Sequence, residues 1–336
     1  VGPDPAVAAV RLAVRRELEG HEGDVLVACS GGADSLALLA ATVFETRRTG
    51  RRVVGVTVDH GLQEGSAEHA TAVAGLMARL GVDETMTARV RVDAPGIGPE
   101  AAARQARYAA LGQAAAHLGA PLVLLGHTAD DQAETVLLGL TRGSGGRSIA
   151  GMRRRYVEGG VAFVRPLLDV TRAQTEQACR AEGIEPWQDP HNHDPRFTRS
   201  RLRHRVLPVL EEELGPGVSA ALARTADLLQ QDVAALDELA DELHRAARTA
   251  DGGLDVASLA AAPVALRTRV LRAAAVGAGC PSSELFRVHV EALASLVPRG
   301  RGREVQLPGH VSAAVDGDGT LRFRSTRPGA GDGVAG

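Results

Sequence analysis

Two stretches of the chain hold residue types that could do chemistry together. The first is Ser30-Gly31-Gly32-Ala33-Asp34-Ser35, a small, polar, glycine-bearing hexapeptide that follows the apolar run Val25–Cys29. A buried strand, such a turn and an apolar helix from Leu36 present backbone N–H groups with no intrahelical partner. With the helix dipole, these make an anion site. The glycines let a phosphate approach the backbone. The turn has neither the Gly-Lys-Ser/Thr ending of a Walker P-loop nor the spacing of a dinucleotide fingerprint. Read alone, it is also an ordinary βα turn with a Ser or Asp N-cap.

The second stretch is Gly126-His127-Thr128-Ala129-Asp130-Asp131-Gln132-Ala133-Glu134. His127 falls at a strand end, and Asp131 and Glu134 are three apart, hence on one helical face. Acids in a first helical turn can simply complement the dipole. Beside a phosphate turn they can instead hold Mg²⁺ or a substrate ammonium. His127 could donate to a phosphate, act as acid or base, or cap the helix.

These residues need elements to hold them. The pattern predicts a short helix over 6–19, strand Val25–Cys29, helix Leu36–Arg48, strand Arg51–Asp59, helix Ser66–Leu80, strand Glu84–Val92, helix Pro99–Leu118, strand Pro121–Gly126 and helix Asp130–Leu140. Strands alternating with helices imply an α/β fold with a doubly wound parallel sheet. Ligands then sit beyond the carboxyl ends of the strands. The Ser30–Ser35 turn, Asp59-His60 and His127–Asp131 all fall there. Further on, Val161–Leu168 reads as a last strand and Thr171–Gly183 as a helix. From Gly215-Pro216-Gly217 a mainly helical unit follows, whose first helix has an apolar seam from Leu222 to Leu243. Two more helices are expected over Pro263–Val276 and Ser282–Leu296, then strand-like pieces at Glu304–Leu307, Val311–Val315 and Leu321–Arg324. The expected division is 1–214, 215–326 and a disordered tail at 327–336. The seam packs a helical domain and is compatible with a homodimer.

Composition narrows the class. At 44% hydrophobic and 2% aromatic residues, the core must be built from alanine, valine and leucine. Cys29, Cys179 and Cys280 form no CxxC, which argues against zinc, iron–sulfur or disulfide frameworks. No apolar run approaches the roughly 18 residues of a membrane span, so a cytoplasmic protein with no membrane partner is expected. All 38 basic residues are arginine, so arginine abundance by itself carries no argument for RNA. Its distribution does: residues 141–210 hold 13 Arg against 7 acids in a chain of net charge −3. Arg153-Arg154-Arg155 and the run Arg196–Arg205, with Arg196, Arg201 and Arg205, are the candidate phosphate-backbone contacts. Arg104, Arg107 and Tyr108 lie along one helix flank, where a role in solubility competes with one in ligand binding.

Taken together the motifs resemble the N-type ATP pyrophosphatase (PP-loop) superfamily, and within it the bacterial tRNA(Ile)-lysidine synthetases. Ser30–Ser35 matches SGGxDS, Val58–Leu62 a second-strand end, and Ala103–Tyr108 an ARxxRY element. Gly126–Glu134, Leu140–Gly145 and Gly151-Met152 match a GHxxDDQxET…RGxG…GM run. Arg165–Leu168, Trp187, Asp189, Asn192, Asp194, Leu202-Arg203 and Leu207-Pro208 continue it through about residue 215. Gln63, Ser148, His191 and Ser200 depart from the usual pattern without touching the ATP site.

The resemblance implies ATP-dependent adenylation of the wobble cytidine of an isoleucine tRNA with a CAU anticodon, then attack by free L-lysine to give lysidine. It implies ATP on Ser30, Gly31, Gly32, Ala33, Asp34, Ser35 and His60, with Mg²⁺ at Asp34. Asp34, His127 and Asp131 would be catalytic; Asp131 and Glu134 would take the lysine ammonium groups; Arg107, Arg199 or Arg203 would take its carboxylate. Two other readings are another PP-loop enzyme modifying a tRNA base and a non-catalytic nucleotide- or RNA-binding module. A thiolase would need cysteine pairs, which the chain lacks.

Overall fold

The computed structural model describes residues 2–59, 61, 65–90, 99–143, 145–187, 194–299 and 302–327. The described residues separate into two compact units, divided between residues 228 and 229 inside one long helix.

The first unit opens with helix α1 (Pro5–Leu18), where the Asp4 carboxylate accepts the Ala6 N–H at 2.8 Å. Strands β1 (Val25–Ala28), β2 (Val53–Asp59), β3 (Glu84–Arg89) and β4 (Leu122–Leu125) alternate with helices α2 (Ala33–Thr46), α3 (Ser66–Arg79) and α4 (Pro99–Leu118). Helices α5 (Ala129–Arg142) and α6 (Gly146–Ile149) follow, then β5 (Arg155–Glu158) and β6 (Val161–Val164). The sheet order is β3-β2-β1-β4-β6-β5. Every pairing is parallel except that of β5 with β6.

Strand β1 is central and buried on both faces, as a continuous apolar run should be. Val25 and Val27 pack with Leu36, Leu39 and Val10. Leu26 faces Leu111, Val123 and Phe163 on the other side. At the sheet edge, β3 alternates half-buried and exposed residues.

In this unit three local features differ from the sequence expectation. Helix α2 begins at Ala33, not Leu36, so Ala33, Asp34 and Ser35 form its first turn. The stretch expected as one strand from Val161 to Leu168 ends at Val164, and Pro166–Asp169 makes a 3₁₀ turn; proline has no N–H to continue a ladder. Strand β5, unforeseen, turns through Gly159-Gly160 onto β6 as an antiparallel edge.

Helix α7 (Arg172–Ala181) is capped by Thr171, whose hydroxyl accepts the Gln174 N–H at 3.2 Å. After residue 194 come α8 (Thr198–Arg201), a π-helical turn over Leu202–Val206, α9 (Leu207–Leu214) and α10 (Val218–Ala247). At the start of α10, Glu211 accepts the N–H groups of Gly217 at 2.6 Å, Val218 at 3.1 Å and Ser219 at 2.8 Å. One side chain thus answers three donors that a helix start leaves unpaired.

The second unit adds β7 (Leu254–Asp255), α11 (Val256–Ala261), α12 (Val264–Gly277), α13 (Arg287–Arg299), β8 (Glu304–Leu307), β9 (Val311–Val315) and β10 (Thr320–Ser325). Its strands form an antiparallel sheet, β7-β10-β9-β8, over a core that includes Leu259, Leu271, Leu293 and Leu321. Helix α13 starts at Arg287 rather than Ser282. The residues before it are tied into a turn, with Arg272 donating to the Ser282 carbonyl at 3.0 Å and Phe286 N–H to His289 Nδ1 at 3.1 Å. No helix among the described residues is long and apolar enough to cross a membrane.

The Glu211 cap makes a pH prediction. Its backbone hydrogen bonds, led by Ser219, hold the carboxyl down at about 2 against an ordinary 4.5. A depressed carboxyl stabilises above its unfolded pKa and loses that contribution as pH falls through the folded one. Glu211→Gln should therefore lower the urea midpoint at pH 7, and the gap to the parent should close between about pH 4.5 and 2. A gap independent of pH would contradict the cap.

Candidate active site

The carboxyl end of β1 runs straight into the glycine turn. The Ser35 hydroxyl organises it: Ser35 Oγ accepts the Ser30 N–H at 3.1 Å, donates to the Gly32 carbonyl at 2.9 Å and lies 3.3 Å from Ser30 Oγ. Gly32 takes the N-cap position of α2, and no side chain caps the helix there. The N–H groups of that first turn are therefore available to a ligand, which removes the capped-turn reading. Gly31 has φ +84°, and a Cβ there would come within 2.7 Å of Val73 Cγ2. Gly126, at the end of β4, lies against the same turn; a Cβ there would stand 3.1 Å from Ser35 N. The turn is gripped from α3 as well. His69 Nε2 lies 3.1 Å from the Ser30 carbonyl, and the His69 ring packs 3.8 Å from the Trp187 ring; the Trp187 backbone N–H donates to the Gly31 carbonyl at 2.9 Å.

Asp34 projects from this turn into a network of carboxylates and arginines. Arg172, at the start of α7, lies 3.4 Å from Asp34 Oδ2, 2.8 Å from Asp131 Oδ1 and 3.8 Å from Glu134 Oε1. Its backbone N–H donates to Asp130 Oδ2 at 2.8 Å. Arg203, in the π-helical turn, donates to Glu134 at 2.7 and 3.1 Å and to Asp131 at 3.2 Å. Arg199 stands 3.7 Å from Glu134 Oε2. Glu134 is 0% exposed, so these guanidinium groups are what make its burial tolerable. Asp34, Asp131, Glu134, Arg199 and Arg203 are thus brought together as the sequence suggests. Arg172 and Thr175, which donates its hydroxyl to Asp34, were not singled out. Both sit in a helix whose pattern looks like ordinary packing.

The network sets unequal proton affinities. Burial pushes the Asp34 carboxyl up to about 6, and Asp131 adds to the rise against Arg172 and Thr175. Burial also works to raise Asp131, but Arg172, the Thr128 N–H and Arg203 bring it below its ordinary value. Burial drives the His127 imidazole down to about 3; Asp131 opposes the fall, and Arg165, Arg107 and Arg104 add to it. The balance favours the neutral imidazole, and its buried Nδ1 has no partner among the described residues.

Arg107 lies apart from the carboxylate network, with its guanidinium 5.7 Å from the Tyr108 ring. Of the basic clusters, Arg153, Arg155, Arg196 and Arg205 are exposed. Arg154 pairs with Asp169 at 2.8 Å, Arg196 with Asp194 at 2.7 Å, and Arg201 donates to the carbonyls of Pro195 and Arg196 at 2.7 and 2.9 Å. His60 lies outside the described residues; beside it, Asp59 accepts the Gly61 N–H at 2.9 Å. Asp189, His191, Asn192 and Gln63 are also outside them.

Residues 10–210 match the family described as PP-loop domain, and residues 254–324 the TilS substrate binding domain. The tRNA(Ile)-lysidine synthase of Thermobifida fusca is 55% identical over 311 residues, covering 92% of this chain and 94% of that protein. The chain belongs to the tRNA(Ile)-lysidine synthase family. The family members from Streptomyces coelicolor (50% identical; 94% of this chain, 98% of that one) and Salinispora tropica (53%; 91% and 92%) are similar along the same length. The PP-loop domain makes the protein an ATP-using ligase. Its fold extends further: the U34-tRNA thiolase NcsA from Methanococcus maripaludis superposes with a TM-score of 0.56 at 16% identity, covering 67% of this chain and 78% of that one.

Removing one side of a buried ion network strands the other. Glu134→Ala should cost about 3–5 kcal/mol of stability in urea denaturation. A loss under about 1 kcal/mol would mean the arginines do not depend on this carboxylate.

Proposed function

We propose that the protein joins free L-lysine to C2 of the wobble cytidine of an isoleucine tRNA with a CAU anticodon, through an adenylated cytidine. The observation that carries this reading is the link through Arg172 between Asp34, on the phosphate turn, and the Asp131/Glu134 pair. A nucleotide site and a carboxylate site suited to an amine thus share one network.

In the first step, cytidine O2 attacks the α-phosphorus of ATP and the bond to pyrophosphate breaks. The unpaired N–H groups at the start of α2 receive the leaving charge, with Ser30, Gly31, Gly32, Ala33 and Ser35 shaping the cradle. Mg²⁺ fits Asp34, a half-buried carboxyl on the turn. Among the described residues no three His, Cys, Asp or Glu side chains form a metal cage, so the ion would share Asp34 with phosphate oxygens. When bound it would neutralise charge on the leaving group.

In the second step, Asp131 and Glu134 hold the ammonium of lysine and Asp131 takes its proton. The freed amine attacks C2, the C2–O2 bond breaks and AMP leaves. Neutral His127 can donate a hydrogen bond to a phosphate oxygen without bringing charge. Arg199, which has looser contacts than Arg203, is the better partner for the lysine carboxylate; Arg203 orients Glu134.

We assign residues 1–214 to catalysis and 215–326 to tRNA binding. Arg153, Arg155, Arg196 and Arg205 contact the RNA backbone, with Arg154 and Arg201 shaping that surface. The reaction belongs to the cytoplasm, and the half-exposed Leu229, Val233 and Leu236 of α10 leave a seam on which two copies can pair. The thiolase alternative is disfavoured by the cysteines: Cys29, Cys179 and Cys280 are each buried and unpaired.

The first step can be read alone. The protein should release pyrophosphate from ATP when tRNA is present and lysine is absent, and Asp34→Ala should reduce that release by about a hundredfold or more with an unchanged circular dichroism spectrum. Release that needs no tRNA, or that survives the substitution, would contradict the assignment.

A further inference from the structure

Two contacts on the glycine turn play no part in either step. Gly31 and Gly32 have no side chain to fix their backbone, and Gly31 stands at φ +84°. Glycine takes either sign of φ readily, so partners elsewhere must set where the N–H groups of the turn point. Ser35 holds the Ser30 N–H from within the motif. The next two carbonyls are held by residues far along the chain.

His69 Nε2 lies 3.1 Å from the Ser30 carbonyl oxygen. A carbonyl only accepts, so Nε2 carries the hydrogen and donates it. The Trp187 backbone N–H donates to the Gly31 carbonyl at 2.9 Å. In a trans peptide the C=O and the following N–H point to opposite sides. Holding the Ser30 carbonyl on α3 turns the Gly31 N–H toward the Cys29 thiol, to which it hydrogen-bonds. Holding the Gly31 carbonyl on residue 187 turns the Gly32 N–H the other way, at the N-cap of α2.

His69 is itself placed by its neighbours. Val73 is four residues on, hence on the same face of α3. Both side chains lie against Gly31: a Cβ there would meet Val73 Cγ2 at 2.7 Å and His69 Cε1 at 3.3 Å. The His69 ring also packs on the Trp187 ring, with centroids 3.8 Å apart and planes tilted by 35°. Packing alone would need a ring and no N–H; the contact with Ser30 gives the N–H a task.

We propose that His69 is a positioning residue for the phosphate turn: its Nε2–H, aimed by the Trp187 ring, locks the Ser30 carbonyl so that the backbone donors of the turn are preset for the phosphates of ATP. Donors fixed before the ligand arrives need no reorganisation when charge moves onto the pyrophosphate. This inference rests on the placing of those phosphates at the Ser30–Ser35 turn.

Two substitutions in the full-length protein separate the hydrogen bond from the packing. His69→Gln keeps an N–H at the reach of Nε2 and loses the ring, whereas His69→Phe keeps a ring and loses the donor. ATP affinity should fall about tenfold in His69→Phe and stay within about threefold of the parent in His69→Gln. The kcat/KM for ATP in tRNA-dependent pyrophosphate release should follow the same order, with the KM for lysine unchanged. Trp187→Leu should weaken ATP binding too, and adding it to His69→Phe should cause no further loss, because both act through one hydrogen bond. If His69→Phe fails to fold, by circular dichroism, His69→Ala takes its place with the same expectation. Any outcome in which His69→Gln is not the better of the pair overturns the proposal, as do losses from Trp187→Leu and His69→Phe that multiply. A parent protein that binds no ATP would instead refute the placing of the nucleotide.

Discussion

A carboxylate taken fully out of water must be answered by positive charge, and Glu134 is answered from two distant stretches of chain. Arg172 comes from the start of α7, and Arg199 and Arg203 come from the helical segment after residue 194. Because Arg172 also reaches Asp131 and Asp34, the same contacts fix α5, α7 and the phosphate turn relative to one another. The first unit can therefore be described as a sheet whose carboxyl end is closed by an ionic network rather than by apolar packing. Arginine suits this task, since its planar fork serves several carboxylates without losing its charge.

The ionic network also divides the site chemically. On one side are Asp34, Asp131 and Glu134, paired with Arg172, Arg199 and Arg203. On the other, Arg104 and Arg165 donate to the Tyr108 hydroxyl, and Arg107 lies beside its ring. His127 responds to both, and burial together with the arginines keeps it neutral. Both charge types meet at the ends of β4 and β6, where the α/β topology gathers loops. A reaction that joins an anionic nucleotide, an RNA and a cationic amine needs such a division.

Much of this was legible in the sequence because it rests on local patterns. The β1 strand, its glycine turn and the Asp131/Glu134 spacing follow from apolar runs and helical periodicity, and α4 begins and ends where Pro99 and Leu118 place it. What could not be read depends on contacts across the chain. The start of α2 was set too late because Ser and Asp suggested a cap, whereas Ser35 turns its hydroxyl back to Ser30 and Gly32. Strand β5 is not legible because Arg153–Arg155 reads as a charge cluster, while the pairing of Arg155–Glu158 with β6 depends on the fold. Helix α11, with six residues, is too short to show a period. Arg172 and His69 sit in helices with unremarkable patterns, and only folding shows that they reach Asp34 and Ser30. Nothing in the spacing of Arg165 tells that it meets Tyr108 from 57 residues away.

The most direct test of the account is nucleoside mass analysis of an isoleucine tRNA incubated with the protein, ATP and isotopically labelled lysine. The account predicts a cytidine carrying the label at the wobble position, with AMP and pyrophosphate released in equal amounts. An unmodified cytidine, from a protein that is folded and binds ATP, would contradict it.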